Sequence, residues 1–211
     1  MLRVIADTVN SDGPIRFILY WGKGPRDHLD TPDTACFDYL SALVRRIRAV
    51  YPPGASVKLI FTDTHAELNG HSGQRVHRYF EAIAAAASAY GFACCWLSEL
   101  VATAVAAGVA HTTSNAELPE NARQRLVACA AKWFRGEGSS EEGALRYYQL
   151  NLIEKQAVDH AFPSAIFVTF NGSEFRCLFP DQLPIFYMYS LRRGVSAKPW
   201  FLSSETIKGG S

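Results

Sequence analysis

Apolar and polar positions in the first half of the chain repeat one order: a short β-rich run, a turn, then a longer stretch with helical spacing. Residues 15–21 (IRFILYW) form the first run, and GKGPRD follows it as a turn. A helix is predicted from Thr34 within DTACFDYLSALVRRIRAVY, because Phe37, Leu40, Leu43, Val44 and Ile47 fall on one stripe. Thr34 or Asp33 is its expected N-cap, and the prolines of YPPG stop it. Residues 56–62 read as a second buried strand, and residues 73–90 as a second helix ended by Gly91. FACCWL follows as a third strand and SELVATAVAAGVA as a third helix. Strands alternating with helices in this way predict a parallel sheet with right-handed crossovers.

The second half changes character. Residues 120–134 and 141–161 read as two helices separated by RGEGSSEEG. SAIFVTFNGSEFRCLF then reads as two strands around Asn171 and Gly172, a strong hairpin signal. Pro180 and Pro184 bracket a turn before a further strand, PIFYMYS. The expected architecture is one α/β domain with a Rossmann-like, mainly parallel sheet flanked by helices. Residues 15–110 form its core, and a C-terminal helical and β-hairpin region, residues 111–211, completes it.

Composition narrows the class. At 211 residues, 48% hydrophobic and 19% charged, the chain has material for one packed core. A formal net charge of +1 leaves no electrostatic footprint of a dedicated nucleic-acid binder, so no DNA partner is expected. The five cysteines show no CxxC spacing, and three lie in apolar segments, where the thiol packs as a small hydrophobe. MLRVIADTVNSDG has no apolar core of a signal peptide, and the longest apolar stretch, residues 82–89, is too short to span a bilayer. A reduced cytoplasmic protein without a membrane partner is expected.

In open parallel α/β sheets, ligands bind beyond the carboxyl ends of the strands. Here the first strand empties into Gly22, Lys23, Gly24, Arg26 and Asp27, the second into Asp63, His65 and Glu67, and the third into Ser98 and Glu99. A cationic loop beside a carboxylate and imidazole loop suits a small zwitterionic or phosphorylated ligand. Lys23, Asp63 and His65 are the catalytic candidates, and Arg26 and Glu67 candidates for binding substrate. Histidine works as a general base near neutral pH without a metal. The alternating Asp63, His65 and Glu67 would instead suit iron, zinc or manganese if they shared one face of an extended strand, with His71 and His77 as further ligands.

On the fifth predicted helix, Tyr147, Asn151, Glu154 and Val158 share a stripe, with Tyr148 and Lys155 on the next one. Either this is a solvated amphipathic helix, or Tyr148, Asn151 and Glu154 face the crevice and hold an amino group. Arg192, Arg193 and Lys198 are candidates for an anion, or plain surface charge. There is no GxGxxG, GxxxxGK[ST] or GxSxG, so no cofactor is firmly implied.

The run from the first strand through YPPGASVKLIFTDTH to RVHRYFEAIAAAASAYGF resembles the isocyanide (isonitrile) synthases of the pyoverdine/dityrosine biosynthesis family. The corresponding features are Lys23 in the first turn, the break from Tyr51 to Ala55, and Asp63 closing the second strand, with a weaker echo in KPWF, residues 198–201. The resemblance implies a siderophore-related biosynthetic enzyme that converts the amino nitrogen of an aromatic amino acid to an isocyanide. A phosphorylated pentulose co-substrate would supply the carbon, Lys23 and Arg26 would contact phosphate or carboxylate, and Asp63 would engage a hydroxyl or amine. Were the reaction oxidative, Asp63, His65 and Glu67 would have to hold iron.

Two alternatives stand beside it. The chain is similar to cyclodipeptide synthases in length and in RYYQLNLIEK, which implies Tyr148 and Glu154 near an aminoacyl group. Arg45, Arg46 and Arg48 would then be the contact to tRNA, although YWGKGPRD holds no serine to act as nucleophile. The third reading is a non-catalytic partner subunit that binds an amino-acid-like ligand.

Overall fold

The computed structural model describes residues 1–22, 28–111 and 115–169, and the backbone of three short strands beyond them. In chain order the elements are α1 (Leu2–Asn10), β1 (Ile15–Trp21), α2 (Thr31–Val50), β2 (Ala55–Phe61), a 3-10 turn (Asp63–His65), α3 (Gly73–Ala89), β3 (Ala93–Trp96) and α4 (Leu97–Ala106). α5 (Arg123–Trp133), α6 (Ser140–Ala161), β4 (Ile166–Thr169), β5 (Ile185–Tyr187), β6 (Ser190–Arg192) and β7 (Val195–Ala197) follow.

β1 and β2 are apolar nearly throughout because both faces of their sheet are covered. Phe17, Leu19, Trp21, Val57, Leu59 and Phe61 pack on one face against Phe37 and Leu40 of α2 and Tyr79, Phe80 and Ile83 of α3. Ile18 and Ile60 point to the other face and meet Leu97 of α4 and Val158 of α6. The five-stranded sheet runs β3-β2-β1-β4-β5 with every adjacent pair parallel. The chain therefore steps from β1 outward to β3, then crosses back to place β4 on the other side of β1. That reversal creates a topological switch point between β1 and β4.

The α/β architecture agrees with the sequence, and several boundaries differ. α2 starts at Thr31, capped by Asp30 and not by Asp33 or Thr34. Asp30 Oδ1 accepts from Asp33 N and Asp33 Oδ2 accepts from Asp30 N, each at 3.2 Å, so the two aspartates form a reciprocal capping box. α4 begins directly after β3, which shortens FACCWL to a four-residue strand. α1 is an element the pattern did not predict. Its Val4 and Ile5 pack against the main core, and Tyr51 of YPPG donates from its hydroxyl to Gly13 O at 2.8 Å. Gly54, at φ 70°, closes that break and its carbonyl accepts Ile15 N.

Asn171 and Gly172 lie outside the described residues. β4, just before them, pairs parallel with β1 on one side and β5 on the other, and the antiparallel pairing in this half joins β6 to β7. Among the described residues no helix is long and apolar enough to cross a membrane.

Candidate functional site

β1 and β2 end abreast, with Trp21 opposite Phe61. Thr62 N donates to Trp21 O at 3.2 Å, and a Cβ on Gly22 would overlap Thr62 Oγ1. Glycine at 22 thus lets the two strand ends stay in contact as the chain leaves the sheet. Lys23 and Arg26, in the turn that follows, lie outside the described residues.

Beyond Thr62 the backbone coils into the 3-10 turn Asp63–His65 and does not continue the strand. This turn breaks the shared face that a metal set of Asp63, His65 and Glu67 would need. Asp63 turns to α4: its Oδ1 accepts from Ser98 N at 3.1 Å, a place where the N-cap residue Trp96 supplies no side-chain acceptor. Thr64 and His65 turn to α6, where Thr64 Oγ1 donates to Glu154 Oε1 at 2.5 Å and His65 Nε2 lies 3.0 Å from Glu154 Oε2. Glu67 is exposed. Among the described residues no three His, Cys, Asp or Glu side chains are grouped to hold a metal ion.

Glu154 is fully buried, which excludes the solvated-helix reading of its stripe. Burying a carboxylate is costly unless hydrogen bonds compensate. Here each oxygen has one, from two adjacent residues of the same turn. His65 keeps 25% of its side chain exposed, so the imidazole bridges the buried carboxylate and solvent. Its ring lies 6.0 Å from that of Tyr147, whose hydroxyl donates to Asn69 Oδ1. These contacts lace residues 64–69 to α6.

The other substrate-binding candidates on α6 are committed elsewhere. Asn151 Nδ2 donates to Tyr147 O at 2.6 Å, one turn back along its own helix. Tyr148 is half-buried against the cluster around Leu118, Phe134 and Ala144. Lys155 pairs with Asp159. Under α6, the Tyr20 phenol of β1 is held well above its ordinary pKa by burial, and further by the carboxylates of Glu154 and Asp159. The phenol therefore stays neutral. His71 is pushed down by burial and by the Arg75 and Arg135 guanidinium groups, which favours its neutral form.

On the far side of the 3-10 turn, an open cleft of about 370 Å³ runs along the carboxyl ends of β2 and β3, lined by Asp63, Val76, His77, Trp96, Ser98 and Glu99 among others. The His77 ring stacks on Trp96 at 4.8 Å, and its Nε2 meets Glu81 at 3.2 Å. The structure thus gathers Asp63, Ser98 and Glu99 at one cleft, and His65, Thr64 and Glu154 at a second cluster beside it.

No family model matches the sequence, and no curated protein matches it. Among solved structures, the chain is similar to the PvcA protein from Pseudomonas aeruginosa. The TM-score is 0.59 at 17% identity, over 81% of this chain and 70% of that one. The two share a fold. A tryptophanyl-tRNA synthetase homolog from Entamoeba histolytica aligns with a TM-score of 0.48 at 12% identity, over 88% of this chain and 50% of that one.

Thr64 and Tyr20 were not among the candidate residues the sequence singled out. Neither was a buried relay under the end of β1: Trp21 Nε1 donates to the Tyr79 hydroxyl at 3.1 Å, which donates to Asp33 Oδ1 at 3.1 Å. The Asp30-x-x-Asp33 spacing is the one local signal that pointed to this relay.

Proposed function

We propose that this chain is a biosynthetic enzyme that modifies the amino nitrogen of a free amino acid, in the manner of an isonitrile synthase. One observation carries the reading: a part-exposed imidazole, His65, is held by a buried carboxylate just past the carboxyl end of β2. The amino group of an amino acid is an ammonium near neutral pH, and it must lose a proton before its nitrogen can attack carbon. A positioned imidazole suits that step. The fold shared with PvcA and the break at residues 51–55 support the same class of chemistry.

In this reading His65 is the acid–base group with Asp63 beside it, and Lys23 and Arg26 clamp the carboxylate of the amino acid or the phosphate of a pentulose co-substrate. The tRNA-dependent alternative gains no support. Its arginines lie on α2 and its Tyr148 and Glu154 on α6, and these helices cover opposite faces of the sheet.

The test is mass spectrometry of single amino acids incubated with the purified protein, with and without ribulose 5-phosphate. Consumption of an amino acid that depends on the sugar phosphate, and that is lost in His65→Ala, is the expected result. If no amino acid is consumed under either condition, the proposed chemistry is wrong.

A further inference from the structure

The fold treats the two ring nitrogens of His65 differently. Nε2 lies 3.0 Å from Glu154 Oε2, while Nδ1 has no protein hydrogen bond among the described residues. Glu154 is fully buried, and its other oxygen takes the Thr64 hydroxyl at 2.5 Å. An ionised carboxylate only accepts hydrogen bonds, so the contact to Oε2 requires the hydrogen on Nε2. Neutral imidazole carries a single N–H, which leaves the lone pair on Nδ1.

We infer that Glu154, locked by Thr64, is a positioning residue that fixes His65 in the Nε2–H tautomer and makes Nδ1 the proton acceptor of the site. The assignment rests on His65 as the acid–base group. It also moves Glu154 out of the substrate-binding role expected from sequence, because a carboxylate bonded at both oxygens and closed to solvent cannot reach an amino group. The substrate ammonium gives its proton to Nδ1, and the resulting imidazolium is stabilised across Nε2 by the Glu154 charge. Thr64 and His65 are consecutive, so one rotamer of Glu154 sets both contacts.

Long-range ¹H–¹⁵N correlation spectra read the tautomer directly, with no need for turnover. They would be recorded at about pH 9, above the ordinary imidazole range, and the His65 signals assigned by their absence in His65→Gln. Wild type should show the Nε2–H form. Glu154→Gln should retain it, since the amide oxygen can still accept from Nε2 while the amide NH₂ donates to Thr64 Oγ1. Glu154→Leu removes one partner of a buried pair and so lowers stability; in the folded protein it should release His65 to a mixture of tautomers.

An Nδ1–H form in wild type would mean a protonated Glu154 donating to Nε2, and would overturn the inference whether or not Glu154→Leu folds. An unchanged tautomer in Glu154→Leu would overturn it as well. Once a substrate is known, Glu154→Leu should lower kcat by roughly 10- to 100-fold, part of what a positioned base contributes, with KM little changed and Glu154→Gln between the two. The spectra decide the role of Glu154 even if no amino acid is ever consumed, so the two failures stay distinguishable.

Discussion

Replacing Asp63 by alanine removes two things at once, and asparagine separates them. The Asp63 carboxylate accepts from Ser98 N at 3.1 Å in the first turn of α4, a ten-residue helix whose N-cap residue has no capping side chain. Loss of a capping acceptor costs about 0.5–2 kcal/mol. This bond is solvent-exposed, which places it near the middle or below, at about 1 kcal/mol. In a chain of 211 residues a loss of that size lowers Tm by roughly 2–4 °C. Asparagine can accept from the same amide through its side-chain oxygen, so Asp63→Asn gives up mainly the attraction between the carboxylate and the helix dipole, about 0.3–1 kcal/mol. It cannot exchange a proton near neutral pH. Asp63→Asn should therefore stay closer to wild type in thermal unfolding than Asp63→Ala, and both should lose turnover in the amino-acid assay. Full stability of Asp63→Ala would refute the capping role. Full turnover of Asp63→Asn would leave Asp63 as a cap and nothing more.

Two further predictions concern the framework. Tyr79 is almost fully buried and links Trp21 to Asp33 through its hydroxyl, so Tyr79→Phe should cost about 1–3 kcal/mol in urea unfolding with an unchanged m-value; an unmoved midpoint would dismiss the relay as a stabilising feature. The Glu142 carboxyl sits below its usual 4.5, chiefly because it accepts from Ser139 N, then through the Ser139 hydroxyl and the Arg146 charge. Its folded pKa is the lower one, so the ionised cap stabilises α6 above the usual value and that contribution disappears as pH falls through the folded value. Glu142→Gln should be less stable than wild type at neutral pH and converge with it in acid, whereas a gap constant with pH would contradict this account.

What the sequence made legible was period, and what it hid was the identity of each facing partner. β1 and β2 could be read because both of their faces are buried, which leaves a nearly continuous apolar run that no exposed strand would carry. α1 was legible in principle, since its nine residues are amphipathic and Val4 and Ile5 form the stripe that packs on the core, although none of its side chains is fully buried. The Asp63, His65 and Glu67 spacing implied a shared face only for extended backbone, and the 3-10 turn after Thr62 removed that premise, sending Asp63 to α4 and His65 to α6. The stripe on α6 was visible, yet nothing local distinguished Glu154 from a solvated glutamate, since its partners Thr64 and His65 lie 90 and 89 residues away. Only the crossover that returns the chain beside β1 brings α6 over the end of β2, so the partners of Glu154 are a property of topology and not of its neighbours in sequence. The same dependence makes the Glu154 contact informative: a buried carboxylate with both oxygens engaged by one turn persists only if that turn is held in place. It is therefore at His65, more than at any exposed carboxylate of the rim, that the fold commits a titratable group to one geometry.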